Sequence, residues 1–137
     1  MTAVPTPADA DPAGRRPRPT SALIAAETAL MVPLVLTVFM MVAETGPGTV
    51  AGTYALLAAE HLVALAGAVA LIVIGRRVGR PVRGLGLTAV VASVVPIAAQ
   101  FVLQVSDPNV GSGALWMVSA AVLALTGGLA VASARRR

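Results

Sequence analysis

Apolar residues in this chain fall into four long runs, separated by short stretches rich in glycine, proline and charge. The runs cover about residues 21–43, 52–74, 85–105 and 114–134. As a helix, each would extend ~31–35 Å at 1.5 Å per residue, enough to cross a hydrocarbon core of ~30 Å. Strands are excluded because polar and apolar positions do not alternate and four strands cannot close a membrane barrel. Helices satisfy their own backbone groups, as lipid demands. The Gly46-Pro47-Gly48 turn, the segment from Gly75 to Gly84 and the segment from Ser106 to Gly113 are the connections. Connections this short set sequential helices side by side and antiparallel. The expected fold class is therefore all-α, an integral membrane up-down four-helix bundle.

Composition agrees with that solvent. Of 137 residues, 57% are hydrophobic and 12% charged. An ordinary soluble domain has ~45–50% and ~25%. The length suits one domain, here a membrane domain over 21–137 preceded by a tail over 1–20. Five of the ten prolines lie in that tail, which predicts disorder. Segment one is longer than a signal-peptide apolar core and lacks a small-x-small cleavage site, so it is expected to remain as a span.

Charge supplies orientation. Arg15, Arg16 and Arg18 precede segment one; Arg76, Arg77, Arg80 and Arg83 lie between two and three; Arg135, Arg136 and Arg137 follow four. Every arginine thus falls on one side. By the positive-inside rule both termini are cytoplasmic, and the expected location is a cell membrane, multi-pass, of the bacterial cytoplasmic kind. Tyr54 and Trp116 begin the second and fourth segments, where an outer aromatic belt would hold them. The arginines would attract anionic lipid headgroups at the cytoplasmic face. Without stacking aromatics beside them they do not point to nucleic acid.

Ionisable residues within the runs are the candidates for function, since each costs ~2.5–3.5 kcal/mol to insert. They are Glu27, Glu60 and His61. Glu60 and His61 are sequence neighbours, ~100° apart on a helix, so only one can face the bundle axis directly. Gln100 and Gln104 share a helix face at a comparable depth. These five residues form the candidate intramembrane polar site, able to load and release a proton or a cation. The alternative is that the same groups only hold helices together. Pro33 and Pro96 lie mid-span and predict kinks that free the carbonyls of Ala29 and Ala92.

Ala120, Ala124, Gly128 and Ala132 form a small-residue stripe suited to close helix packing, within the bundle, in a homo-oligomer or in a larger membrane complex. A shift of 63 residues also lays Pro33 on Pro96 and Gly48 on Gly111, as either a duplicated hairpin or features common to membrane hairpins would. Cysteine is absent and histidine occurs once, which excludes thiol chemistry and a bis-histidine haem within one subunit. No cofactor or metal site is expected, and no nucleophile, zinc or phosphate-loop motif is present. The expected function is non-enzymatic: a small transporter or channel-like protein, or else a membrane subunit or scaffold.

Overall fold

A computed structural model describes residues 19–43, 50–103 and 110–136. The described residues form α1 (Pro19–Ala43), α2 (Val50–Val78), α3 (Arg80–Leu103) and α4 (Val110–Arg135). All four are long and apolar enough to cross a membrane. Their packing is inside-out relative to a water-soluble protein. Val42, Phe101 and Val102 are each 79% exposed, while Thr37, Glu60, His61, Ser93, Ser119 and Thr126 are buried. A continuous exposed apolar surface is costly in water and costs nothing in lipid.

The second connection is much shorter than the sequence suggests. Arginine is a good helix former, so α2 runs on through Arg76 and Arg77, and α3 begins at Arg80. Only Gly79 separates them, at φ 139°, a conformation rare for any residue with a Cβ. Gly79 N–H donates to the Gly75 carbonyl at 2.9 Å, and Arg83 N–H reaches the Gly79 carbonyl at 3.4 Å. The helices meet so closely that a Cβ on Gly75 would stand 2.5 Å from the Arg83 nitrogen. About one turn on, a Cβ on Gly86 would stand 2.9 Å from the Ile72 nitrogen.

Each helix packs against the next, and α1 also packs against α4, while α2 and α4 touch sparsely. One apolar core joins the first halves of α1 and α3 to the second halves of α2 and α4, with Leu30, Leu71, Val82 and Leu123 at its centre. Exposed Arg76, Arg77, Arg80, Arg83 and Arg135 lie at or just beyond that end.

The small-residue stripe on α4 does not form one contact within the chain. Ala120 is fully buried, Ala124 and Ala132 are half-buried, and Gly128 is exposed with open space where a Cβ would go. Four-residue steps on a helix of 3.6 residues per turn drift ~40° each, which carries the stripe off the interface. Close approach to α1 falls instead on Gly127, where a Cβ would meet Leu30 and Glu27 at 3.4–3.5 Å.

Two glycines in this region should respond with opposite signs. Gly75→Ala forces backbones apart and should cost ~1–3 kcal/mol. Gly84→Ala, with nothing within 4 Å, should be neutral or gain up to ~1 kcal/mol of helix propensity. Reversible unfolding of the two variants in mixed detergent micelles reads the difference; equal stabilities would mean that α2 and α3 do not come into close contact at Gly75.

Candidate functional site

The polar residues of the half opposite the arginines meet in one layer to which all four helices contribute. On α2, the ~100° step between neighbours sends Glu60 and His61 to different partners. Glu60 faces α1, where the Thr37 hydroxyl donates to Oε1 at 3.3 Å. His61 faces α4 and α3. Its Nδ1 lies 2.9 Å from the Leu57 carbonyl one turn back, and its Nε2 lies 3.2 Å from Ser119 Oγ. The Trp116 ring meets the imidazole edge to face, with centroids 4.7 Å apart and planes at 82°. Ser119 in turn donates to the Ala92 carbonyl on α3.

That last bond has a backbone cause. Pro96 has no N–H, so the carbonyl of Ala92, four residues back, loses its partner within the helix. In hydrocarbon a stranded carbonyl is expensive, and the Ser119 hydroxyl replaces the missing donor from the neighbouring helix. Pro96 is thus part of the site.

Counting protons shows what this arrangement can do. A carbonyl only accepts, so Nδ1 must carry the hydrogen that reaches Leu57. Ser119 has one hydroxyl proton and two acceptors within reach, His61 Nε2 and the Ala92 carbonyl. With a neutral imidazole, Ser119 can donate to Nε2 and leave Ala92 uncovered. With both ring nitrogens protonated, Nε2 donates to Ser119 and Ser119 donates to Ala92. A second proton on His61 therefore fixes the hydroxyl on Ala92, whereas the neutral ring leaves it a choice of two acceptors.

Glu60 is the unsatisfied member. Its Oε1 lies 3.9 Å from His61 Nδ1, and the side chains of both are fully enclosed. Its Oε2 is buried and has no hydrogen-bond partner among the described residues. A fixed structural acceptor would be expected to find a donor.

The expected five-residue cluster is only partly assembled. Glu60 and His61 are together. Glu27 is half-buried beside Gly127, ten residues before Thr37 and so ~15 Å from that layer along α1. Gln100 is half-buried on α3, eight residues or ~12 Å past Ala92. Gln104 lies outside the described residues. Trp116 is 2% exposed and packs on His61, which corrects its assignment to an outer aromatic belt. Its position at the start of a segment marks depth, but the rotation of α4 turns the ring inward.

Thr37 and Ser119 are site residues that sequence reasoning did not single out, and Trp116 is one it assigned elsewhere. The Pro96 signal pointed to a bare carbonyl at Ala92 without naming its donor. Hydroxyls alone do not identify it: Ser93 and Thr126 are also buried, yet they bond back to Ala89 and Val122 of their own helices, at 2.9 and 2.6 Å. No group of three or more His, Asp or Glu side chains suited to a metal occurs among the described residues.

Ser119→Ala should strip Ala92 and His61 of a shared partner and cost ~0.6–1.7 kcal/mol, the range for helix-to-helix hydrogen bonds in membranes. Pro96→Ala restores an N–H to the Ala92 carbonyl, so Ser119→Ala should cost measurably less in that background. A double-mutant unfolding cycle with no coupling would show that Ser119 does not serve that carbonyl.

The chain matches no family model, no curated protein and no solved structure.

Proposed function

We propose that this chain is a small multi-pass membrane protein, transporter or channel-like, in which Glu60 and His61 bind and release a proton. The observation that carries the reading is the buried Glu60 Oε2 without a partner, beside an imidazole at 3.9 Å. A carboxyl that takes up and loses a proton needs an oxygen that no permanent donor occupies. The Ser119 hydroxyl, poised between two acceptors, supports the same reading, because it can reverse as the charge on His61 changes. The reaction involves no covalent chemistry on a substrate, so the chain is not an enzyme in this reading.

The same proposal gives the bundle an up-down course with both termini on the cytoplasmic side of a bacterial cell membrane. Supporting it are the pairing of alternate helix halves in one core and the gathering of arginines at that end. Anionic headgroups there would neutralise the arginines. A scaffold reading also has an observation behind it, since the Thr37–Glu60, His61–Ser119 and Ser119–Ala92 contacts tie all four helices together.

Proton flux separates the two. Purified chain in vesicles carrying an internal pH dye should pass protons down a pH gradient. Glu60→Gln should lower that flux to the level of protein-free vesicles while its elution profile matches the native chain. Unchanged flux in the variant would overturn the proposal. Absence of flux in the native chain, with Glu60→Gln altering only assembly, would establish the scaffold.

Orientation has its own test, made clean by the absence of native cysteine. Arg136→Cys should react with a membrane-impermeant maleimide only in permeabilised cells, and Ala51→Cys in intact ones. The reverse pattern would invert the assigned topology.

A further inference from the structure

A cavity of about 260 Å³ lies among the end of α1 and the starts of α2 and α4, at the end of the bundle away from the arginines. Thr37, Met40, Thr53, Trp116 and Met117 are among its walls, together with Gly113. Thr37 does two things at once: it borders the cavity and donates to Glu60 Oε1 at 3.3 Å. One side chain therefore separates the cavity from a buried carboxyl group whose other oxygen has no partner among the described residues.

We propose that this cavity binds a small hydrophobic monocation of the quaternary ammonium type, with Glu60 as its counter-charge. The proposal rests on the reading of Glu60 as an exchangeable site and names a second occupant for it. Wall chemistry selects the class. Thioether sulfur and an indole ring are soft, polarisable surfaces, and an aromatic ring attracts an alkylammonium group. A hard metal ion prefers six or more oxygen ligands, which walls dominated by methionine, leucine and tryptophan do not supply. An anion would meet a carboxyl group here, with every described arginine at the far end of the bundle.

A neutral apolar molecule would fit the walls but would have no use for Glu60. The groove of about 390 Å³ between α3 and α4 would suit such a molecule better. It is larger, and its polar wall groups are the hydroxyls of Thr88 and Ser119. What distinguishes the smaller cavity is the carboxyl group behind its wall.

Trp116, the one tryptophan in the chain, makes the test direct. Its emission, excited selectively, should change saturably when benzyltrimethylammonium is added to the full chain in nanodiscs. Neopentylbenzene, which replaces the charged nitrogen by carbon, should produce no saturable change. Glu60→Gln should weaken cation binding by ~10-fold or more.

Gly113→Phe gives a second variant that leaves the carboxyl group in place. The first atom of its side chain meets nothing within 4 Å, so the ring can fill the cavity. It should abolish the emission change. Equal binding of the neutral isostere, undiminished binding in Glu60→Gln, or undiminished binding in Gly113→Phe would each overturn the cation site. If flux persists while the cation fails to bind, this inference alone falls; if native flux is also absent, the proton reading falls with it.

Discussion

Hydrocarbon offers no hydrogen-bond partner, and the carbonyl of Ala92 is where that constraint organises the molecule. Pro96 removes the N–H that would have covered it, and Ser119 from α4 supplies the replacement. Because Ser119 is also within reach of His61, the repair of one helix defect sets the register of α4 against both α3 and α2. Thr37 then brings in α1 through Glu60. A single backbone vacancy on α3 is thus answered by a layer of side chains drawn from the other three helices.

The bundle is consequently asymmetric along its length. Its arginine-bearing half is closed by Leu30, Leu71, Val82 and Leu123, with Gly75 and Gly86 letting α2 and α3 come nearly into backbone contact. Van der Waals packing of small and apolar residues is the main adhesive between helices in lipid, and that half uses it fully. The other half gives up close packing for polar contacts and retains a cavity beside Thr37. The two halves thus cohere by different means, apolar contact in one and hydrogen bonds in the other.

Legibility followed the same division. The four runs, the arginine ends and the two prolines could be read because each depends on one residue type in one stretch of chain. Gly79 was hidden within a ten-residue segment rich in arginine and glycine, since composition there suits a loop as well as two helix ends. The site was half visible. Glu60 and His61 announced themselves by charge in an apolar run, and Ala92 by its distance from Pro96. Ser119 did not, because Ser93 and Thr126 look the same in sequence and spend their hydroxyls on their own helices. Helix rotation makes that choice, and rotation is decided by the packing of all four helices together. For Glu27 the deciding variable is depth and not rotation: its place along α1 sets it beside Gly127 and away from the polar layer.

A structural tie and a proton site need not be different objects, but they differ in what they require of position 60. A tie to Thr37 needs only an acceptor, and an uncharged amide would provide one with less to desolvate. An ionisable group at this depth costs ~2.5–3.5 kcal/mol by insertion scales, and the contact it gains in return is a single long bond at 3.3 Å. Its second oxygen gains none among the described residues. Helix adhesion alone does not offset that cost. A group that changes its charge in place does have a reason to leave one oxygen open, and the imidazole at 3.9 Å supplies a partner whose own hydrogen bonds can reverse to match.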